Sequence, residues 1–254
     1  MIQPLLTQTS PASNQIDLSA ALTFLYTLDS SDDATFNIEH YTDLPKGAGK
    51  PKPDPLAGRY ANLTRQRVEE LFLQLQQKNE AGAGIFIARN QCDGHRSEKA
   101  ISRVRGVHAD MDSVSAEELA DLIGLLEPSI VVESSPGRFQ LYWQLSEGEY
   151  LEPAEAKAIN QCLASQHGAD PAAVDVSRLL RLPGFKHMKY RQEGRTPVVT
   201  ATYADITYTA AQLRTAFPIE DRGKSSSERS TSQPTALKQV PAPLQDIAYE
   251  SIVA

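Results

Sequence analysis

Residues 107–112 read Val-His-Ala-Asp-Met-Asp. Small and apolar side chains interleave with polar ones at period two, the signature of a strand with two unlike faces. Alternation puts Asp110 and Asp112 on one face and Met111 on the other. Two carboxylates forced side by side repel, and a divalent cation that prefers oxygen ligands, Mg²⁺ or Mn²⁺, relieves the repulsion. Ser115-Ala-Glu-Glu118 is a capping box at the head of an apolar-periodic helix through Leu119, Leu122, Ile123 and Leu126. The strand must end before it, leaving the carboxylates at a strand end within reach of a substrate. An Asp-x-Asp pair alone is in most sequences a solvated strand end or turn, so other segments have to decide. His108 shares the aspartates' parity. A packed, hydrogen-bonded ring is the expectation for it, in preference to a ligand.

Two later segments bear on the choice. Ile130-Val-Val-Glu-Ser-Ser-Pro-Gly-Arg-Phe-Gln-Leu-Tyr-Trp143 reads as a buried strand, a tight Ser-Pro-Gly turn and a returning strand over 139–145. Tyr142 and Trp143 are candidates for base stacking, although alternation turns one of them into the core. Further on, Asp175 supplies a third carboxylate. Dense positive charge follows it in Arg178, Arg181, Lys186, His187, Lys189, Arg191 and Arg195, opposed only by Glu193. A solvated face is the ordinary meaning of such a run. The preceding acid and the Pro183-Gly184 break point equally to a loop that faces phosphate. His167 and Asp170 mark a helix exit through Gly168 and carry no expected chemistry.

Taken in order, these three blocks resemble the RepB-like replication primases of plasmids and phages, within the archaeo-eukaryotic primase superfamily. Arg178-Leu-Leu-Arg-Leu-Pro-Gly-Phe185 is similar to that family's third block, and Gly84-Ile-Phe-Ile-Ala-Arg-Asn-Gln-Cys-Asp-Gly94 to its approach segment. The resemblance covers 60–215 or so. It implies a primase-type core related to the RNA-recognition fold, and a nucleotidyltransferase that makes short primers on a single-stranded DNA template. It also implies two-metal-ion chemistry with Mg²⁺ or Mn²⁺, held by Asp110, Asp112 and Asp175 as the catalytic carboxylates. Ser134, Ser135 and Gly137 would let a nucleoside triphosphate approach closely, with Gln140 as a polar contact. The superfamily usually places a histidine there, and an amide carries no charge. Arg178 and Arg181 are the expected bidentate phosphate partners, Lys186 and His187 second choices. Lys189, Arg191 and Arg195 would track the template. A replicative helicase is a further partner the resemblance suggests. Two other readings stay open: a metal-dependent Asp-x-Asp glycosyltransferase, and a non-catalytic DNA-binding replication factor on a primase fold.

The elements that must position these residues alternate without a βαβ rhythm. Helices are expected over 17–28, 64–79, 153–166 and 209–217, and strands over 35–41, 85–88, 107–112, 130–145 as a hairpin, and 196–203. That mixture predicts an α+β fold with a mostly antiparallel sheet. Residues 1–16 are polar and expected to be flexible, 17–219 form the catalytic domain, and 220–254 are a Ser-rich linker and tail. The tail's Leu244–Val253 segment is too short to be stable alone. Between strands, Leu44–Pro55 is broken by prolines; its Gly47-Ala-Gly-Lys50 lacks the spacing of a phosphate loop. Lys46, Lys50, Lys52 and Arg59 there suit either a plain surface or a nucleic-acid backbone.

With 254 residues and 41% hydrophobic content the chain can build a sizeable core. A net charge of −7 argues against a general nucleic-acid coat, though not against a local basic track. Cys92 and Cys162 match no zinc spacing. No stretch resembles a signal peptide or a bilayer span, and a cytoplasmic protein without membrane contact is expected.

Overall fold

The computed structural model describes residues 15–219 apart from 46, 50 and 113. The expectations for the extreme N-terminus, Lys46, Lys50, the Ser-rich linker and Leu244–Val253 lie outside the described residues. Two four-stranded antiparallel sheets organise the rest. Sheet 1 has the order β2-β1-β3-β9, formed by Gly58–Thr64 (β2), Thr35–Thr42 (β1), Ala83–Ala88 (β3) and Leu179–Arg181 (β9). Sheet 2 has the order β10-β7-β8-β6, formed by Thr200–Tyr203 (β10), Ile130–Ser135 (β7), Arg138–Gln144 (β8) and Gly106–Met111 (β6). A short pair, Gln91–Cys92 (β4) with Ile101–Arg103 (β5), links one to the other.

Helix α1 (Leu18–Leu28) starts where the Asp17 side chain accepts the backbone N–H groups of Ser19 and Ala20. Helix α2 (Arg65–Glu80) is capped by Thr64 and buries Val68, Phe72 and Leu75. These helices, the inner face of sheet 1 and the Ile130–Val132–Tyr142 face of sheet 2 share one apolar core. The opposite face of sheet 2, through Val107, Ala109, Met111, Leu141 and Trp143, packs a second core against α3 (Ala116–Leu125), α4 (Pro153–Gln166) and α5 (Ala210–Ala216). Sheet 2 is therefore buried on both sides. Tyr142 meets Phe24 edge-on at 5.8 Å, while Trp143 meets Phe217 at 5.1 Å and donates Nε1–H to the Leu126 carbonyl at 2.9 Å. Both rings are enclosed, so neither can stack on a base. No helix among the described residues is long and apolar enough to cross a membrane.

The mixed helices and antiparallel strands are the α+β class expected, with the strands divided between two sheets. The capping box forms in full: Ser115 accepts from the Glu118 N–H, and the Glu118 carboxylate accepts from the Ser115 N–H. Four strands were not anticipated: β2 follows the proline-broken loop, β4 and β5 form a very short pair, and β9 lies inside the basic block. The strand expected over 196–203 is confined to β10, with Val198 making only an isolated bridge to Lys186.

One buried cation joins the sheets. Arg89, at the end of β3, is fully enclosed and lies 5.1 Å from the Tyr142 ring. Its Nη2 donates to Gln144 Oε1 at 2.5 Å and reaches the Val107 and Trp143 carbonyls at 3.4 Å. Burial pulls its pKa down to about 9, so the group stays charged at neutral pH. Gly106 makes the approach possible. Its φ is +140°, and a Cβ there would fall 2.0 Å from the Trp143 carbonyl oxygen and 2.8 Å from Arg89 Nη2. Gly106→Ala should therefore cost on the order of 3 kcal/mol or more, through backbone strain and a displaced β6–β8 register. Chemical denaturation measures this, and an unchanged midpoint would contradict so tight an approach.

Candidate active site

The carboxylates sit where β6 ends. Asp110 pairs across β6–β8 with Gln140, Met111 with Phe139, and the same register continued by one residue sets Asp112 opposite Arg138. Met111 is anchored in the core, so its two neighbours are turned out together. β6 is an edge strand, and its open side is tied down rather than left to water. The His108 N–H donates to Asn160 Oδ1 at 3.0 Å, and the Asp110 carbonyl accepts the Asp170 N–H at 2.8 Å. His108 is the packed ring expected: its Nε2 lies 2.9 Å from the Ala173 carbonyl, and burial drives its pKa down to about 3.

Asp110 and Asp112 open into a cavity of about 340 Å³, the size range of small-ligand sites. Its other walls come from Tyr41, Phe86, Arg96, Ser134, Arg138, Gln140, Asp175, Arg178, Leu179, Arg181, His187 and Lys189. The three sequence blocks thus meet around one space. Ser135, Gly137 and Lys186 are not among its walls. Ser135 is buried, Gly137 takes the hairpin turn at φ +74°, and the Lys186 backbone N–H and carbonyl are both bonded to the Asn79 side chain. Arg191 donates to the Ala81 carbonyl at 2.7 Å, and Arg195 pairs with Glu193 while covering the Tyr190 ring at 4.7 Å. Of the residues assigned to template, Lys189 alone reaches the cavity.

Charge is uneven within the site. Burial, and then the Asp112 carboxylate, push Asp110 up to about 6, although Arg178 and Arg181 pull the other way. Asp112 is more exposed and pairs with Arg138 at 3.1 Å. Arg181 is bound bidentately by Asp43 at 2.9 and 3.0 Å, and its backbone N–H donates to Gln140 Oε1 at 3.2 Å. Gln140 therefore fastens β8 of sheet 2 to β9 of sheet 1 as well as lining the cavity. Arg178 donates to the Ala172 carbonyl at 2.8 Å and lies 3.8 Å from Asp175. Asp175 also accepts from the Ser177 hydroxyl at 2.9 Å. His187 Nδ1 lies 2.7 Å from the Ser134 carbonyl. A carbonyl only accepts, so Nδ1 carries the proton. Burial, then Arg181, lower the ring's pKa to about 4, and His187 is neutral at pH 7. Its Nε2 is consequently an acceptor and adds no positive charge to the wall.

No three His, Cys, Asp or Glu side chains among the described residues are gathered closely enough to hold an ion by themselves. The donor chemistry of Asp110 and Asp112 nevertheless fits a divalent cation. They are hard, crowded oxygens, one with its ionisation opposed by the other, and Mg²⁺ commonly takes one or two carboxylates and completes its shell with water and substrate phosphate. Asp175 stands on the same wall, engaged by Ser177 and Arg178. Sequence reasoning did not anticipate Arg138, Arg96, Tyr41 or Phe86 as cavity residues. Arg138 follows from the hairpin register once β8 is paired with β6. The others depend on contacts between segments far apart in the chain.

A primase-type α+β domain is the class that this fold and site define. Residues 57–221 match the model of the RepB DNA-primase N-terminal domain, and the chain belongs to that family. The glycosyltransferase alternative finds no support in that membership. No curated protein matches the sequence. Among solved structures, the chain is similar to the AEP domain of the cyanophage S-2L primase-polymerase, with a TM-score of 0.61 and 19% identity over 82% of this chain and 100% of that one. Primase RepB′ aligns with a TM-score of 0.57 and 21% identity over 77% of this chain. The match spans 60% of the length of that primase. The catalytic domain of RepB′ in complex with initiator DNA aligns at 0.54, again with 21% identity, over 77% of this chain and 91% of that one. At these identities the likeness is one of fold.

Asp110 binds its proton more tightly in the folded chain than in the unfolded one, where the ordinary value is 3.8. It supports the fold below that value and opposes it as pH rises through about 6. Without metal, Asp110→Asn should thus be more stable than the parent at pH 7, by about 2 kcal/mol after allowance for partial exposure. The two should coincide near pH 3.5. Thermal melts across this range check the sign, and an equal gain at both pH values would mean that ionisation is not the cause.

Proposed function

We propose that the protein is a DNA-directed nucleotidyltransferase that makes short primers on single-stranded DNA for plasmid or phage replication. The observation that carries this reading is the crowded Asp110–Asp112 pair facing an arginine-rich wall, on the fold of a primase family. Asp110 and Asp112 would hold Mg²⁺ or Mn²⁺, with Asp175 as the third carboxylate on the same cavity wall. Metal bound there would activate the attacking 3′-hydroxyl and neutralise the departing pyrophosphate.

The protein's own groups would do the rest. Arg178 points one guanidinium edge at a backbone carbonyl and lies near Asp175, so its remaining donors can meet a triphosphate. Arg181 is fixed by Asp43, which gives it a set position at the cost of sharing its charge. Lys189 adds an ammonium, which lies 5.6 Å from the centre of the Tyr190 ring. Ser134 and Gln140 offer neutral polar contacts, and the neutral His187 ring adds no charge beside them. Arg138 compensates Asp112 at 3.1 Å, a role that a metal held there would take over. A replicative helicase partner and a cytoplasmic setting belong to the same reading.

The test omits any primer: protein, single-stranded DNA, Mn²⁺ or Mg²⁺ and labelled nucleotides are incubated and short products sought. The parent should make them. Asp110→Ala and Asp112→Ala should each lose at least about a thousandfold in rate, since metal stabilisation of the transition state is worth several kcal/mol, while melting as folded proteins. Arg178→Lys keeps the charge but loses the planar fork, and should raise the KM for nucleotide about tenfold. Normal synthesis by either aspartate variant would remove the metal-site assignment.

A further inference from the structure

The outer face of sheet 1 holds chemistry that nucleotide addition leaves unused. β1 and β3 alternate, so Ile38, Ile85 and Ile87 enter the core while Glu39, Tyr41 and Phe86 lie on the other side. Neither apolar core includes Tyr41 or Phe86. Gly84 creates the space they occupy: a Cβ there would come within 2.7 Å of the Phe86 ring and 3.1 Å of the Asp43 carboxyl carbon. With that side chain missing, the Phe86 ring lies down along its strand. It stacks on Tyr41 with centroids 4.6 Å apart and planes 12° from parallel. The Arg181 guanidinium covers Phe86 at 4.9 Å and is itself fixed by Asp43. The result is a stack built into the sheet in which Phe86 is buried and Tyr41 lines two cavities.

A second cavity, of about 310 Å³, opens on the same face, and Tyr41, Arg96 and Leu179 belong to the walls of both cavities. The two therefore adjoin, with Tyr41 between the carboxylate site and a basic patch. In that patch Glu39 accepts ion pairs from Arg59 at 3.3 Å and Arg96 at 2.8 Å. One carboxylate set against two guanidiniums leaves positive charge in excess, and Arg59 is 75% exposed. Aromatic surface flanked by cations suits a single strand of nucleic acid. Every base has a π-face, so stacking tolerates any sequence, and arginines follow the phosphates.

We propose that this trough is the track of the template strand, in which Tyr41 stacks a base of the incoming single-stranded DNA and Arg59 and Arg96 hold its phosphates. The proposal rests on reading the Asp110 cavity as the site of nucleotide addition. A template has to move past that site whatever its sequence, and ring faces with arginines allow this where base-edge contacts would not.

Fluorescence anisotropy with a labelled oligothymidylate and the full chain, in the absence of nucleotide and metal, tests the track. The assay reads strand binding even if primer synthesis fails, so the two proposals can fall separately. Tyr41→Leu should weaken oligothymidylate binding about tenfold, the effect of one lost base stack, and Tyr41→Phe should restore it. Arg59→Gln should lower the logarithmic salt slope by about 0.7. Unchanged strand affinity in Tyr41→Leu, or a loss confined to triphosphate binding, would overturn the proposal. If Tyr41→Leu does not fold, Tyr41→Trp replaces it. The chain's single tryptophan, Trp143, is buried, so oligothymidylate should quench only the emission that the substitution adds. A titration without quenching would overturn the track equally.

Discussion

Repulsion between two carboxylates that cannot move apart governs the architecture around the site. Met111 is anchored in the core between them, and the pairing of β6 with β8 fixes the backbone on one side. On the other side the Asp170 N–H holds the Asp110 carbonyl. Neither aspartate can relieve the strain by turning inward. The surroundings are built to compensate: Arg138 reaches Asp112, while Arg178 and Arg181 favour the charged form of Asp110 without fully offsetting its burial. A site in that condition is poised to take up positive charge.

The second constraint is the joint between the sheets. The carboxylates belong to sheet 2, whereas Arg181 and the Tyr41–Phe86 stack belong to sheet 1. Two contacts hold these halves in register. Gln140 accepts the Arg181 N–H, and Arg89 binds carbonyl oxygens of β6 and β8 from the end of β3. Gln140 is thus more than a polar substitute for the histidine usual in the wider superfamily. The neutral imidazole that the cavity does contain comes from the third block, as His187, fixed by the Ser134 carbonyl of the hairpin.

Local patterns were legible wherever the chain itself sets the geometry. The alternation of 107–112, the capping box at Ser115 and the hairpin around Pro136-Gly137 all follow from nearest-neighbour physics, and all appear in the fold. β9 was hidden because three residues in a charged block form a strand only by pairing with β3, far away in sequence. Tyr142 and Trp143 misled because sheet 2 is covered on both faces, so adjacent side chains are both enclosed. Tyr41 and Phe86 read as ordinary apolar strand positions. The role proposed for them depends on the space that Gly84 leaves for the Phe86 ring, which no periodicity reports. The basic block appeared uniform in sequence, yet backbone carbonyls and Glu193 engage its outer arginines, and only part of it reaches the cavity.

Titration of Mn²⁺ into the protein by calorimetry, in buffers of different ionisation heat, tests the central claim most directly. A cation bound at Asp110 and Asp112 must displace the proton that Asp110 retains up to about pH 6. Saturable binding should therefore release a substantial fraction of a proton at pH 5.5 and almost none at pH 8. Heats that never saturate, or proton release that does not change between those pH values, would contradict it.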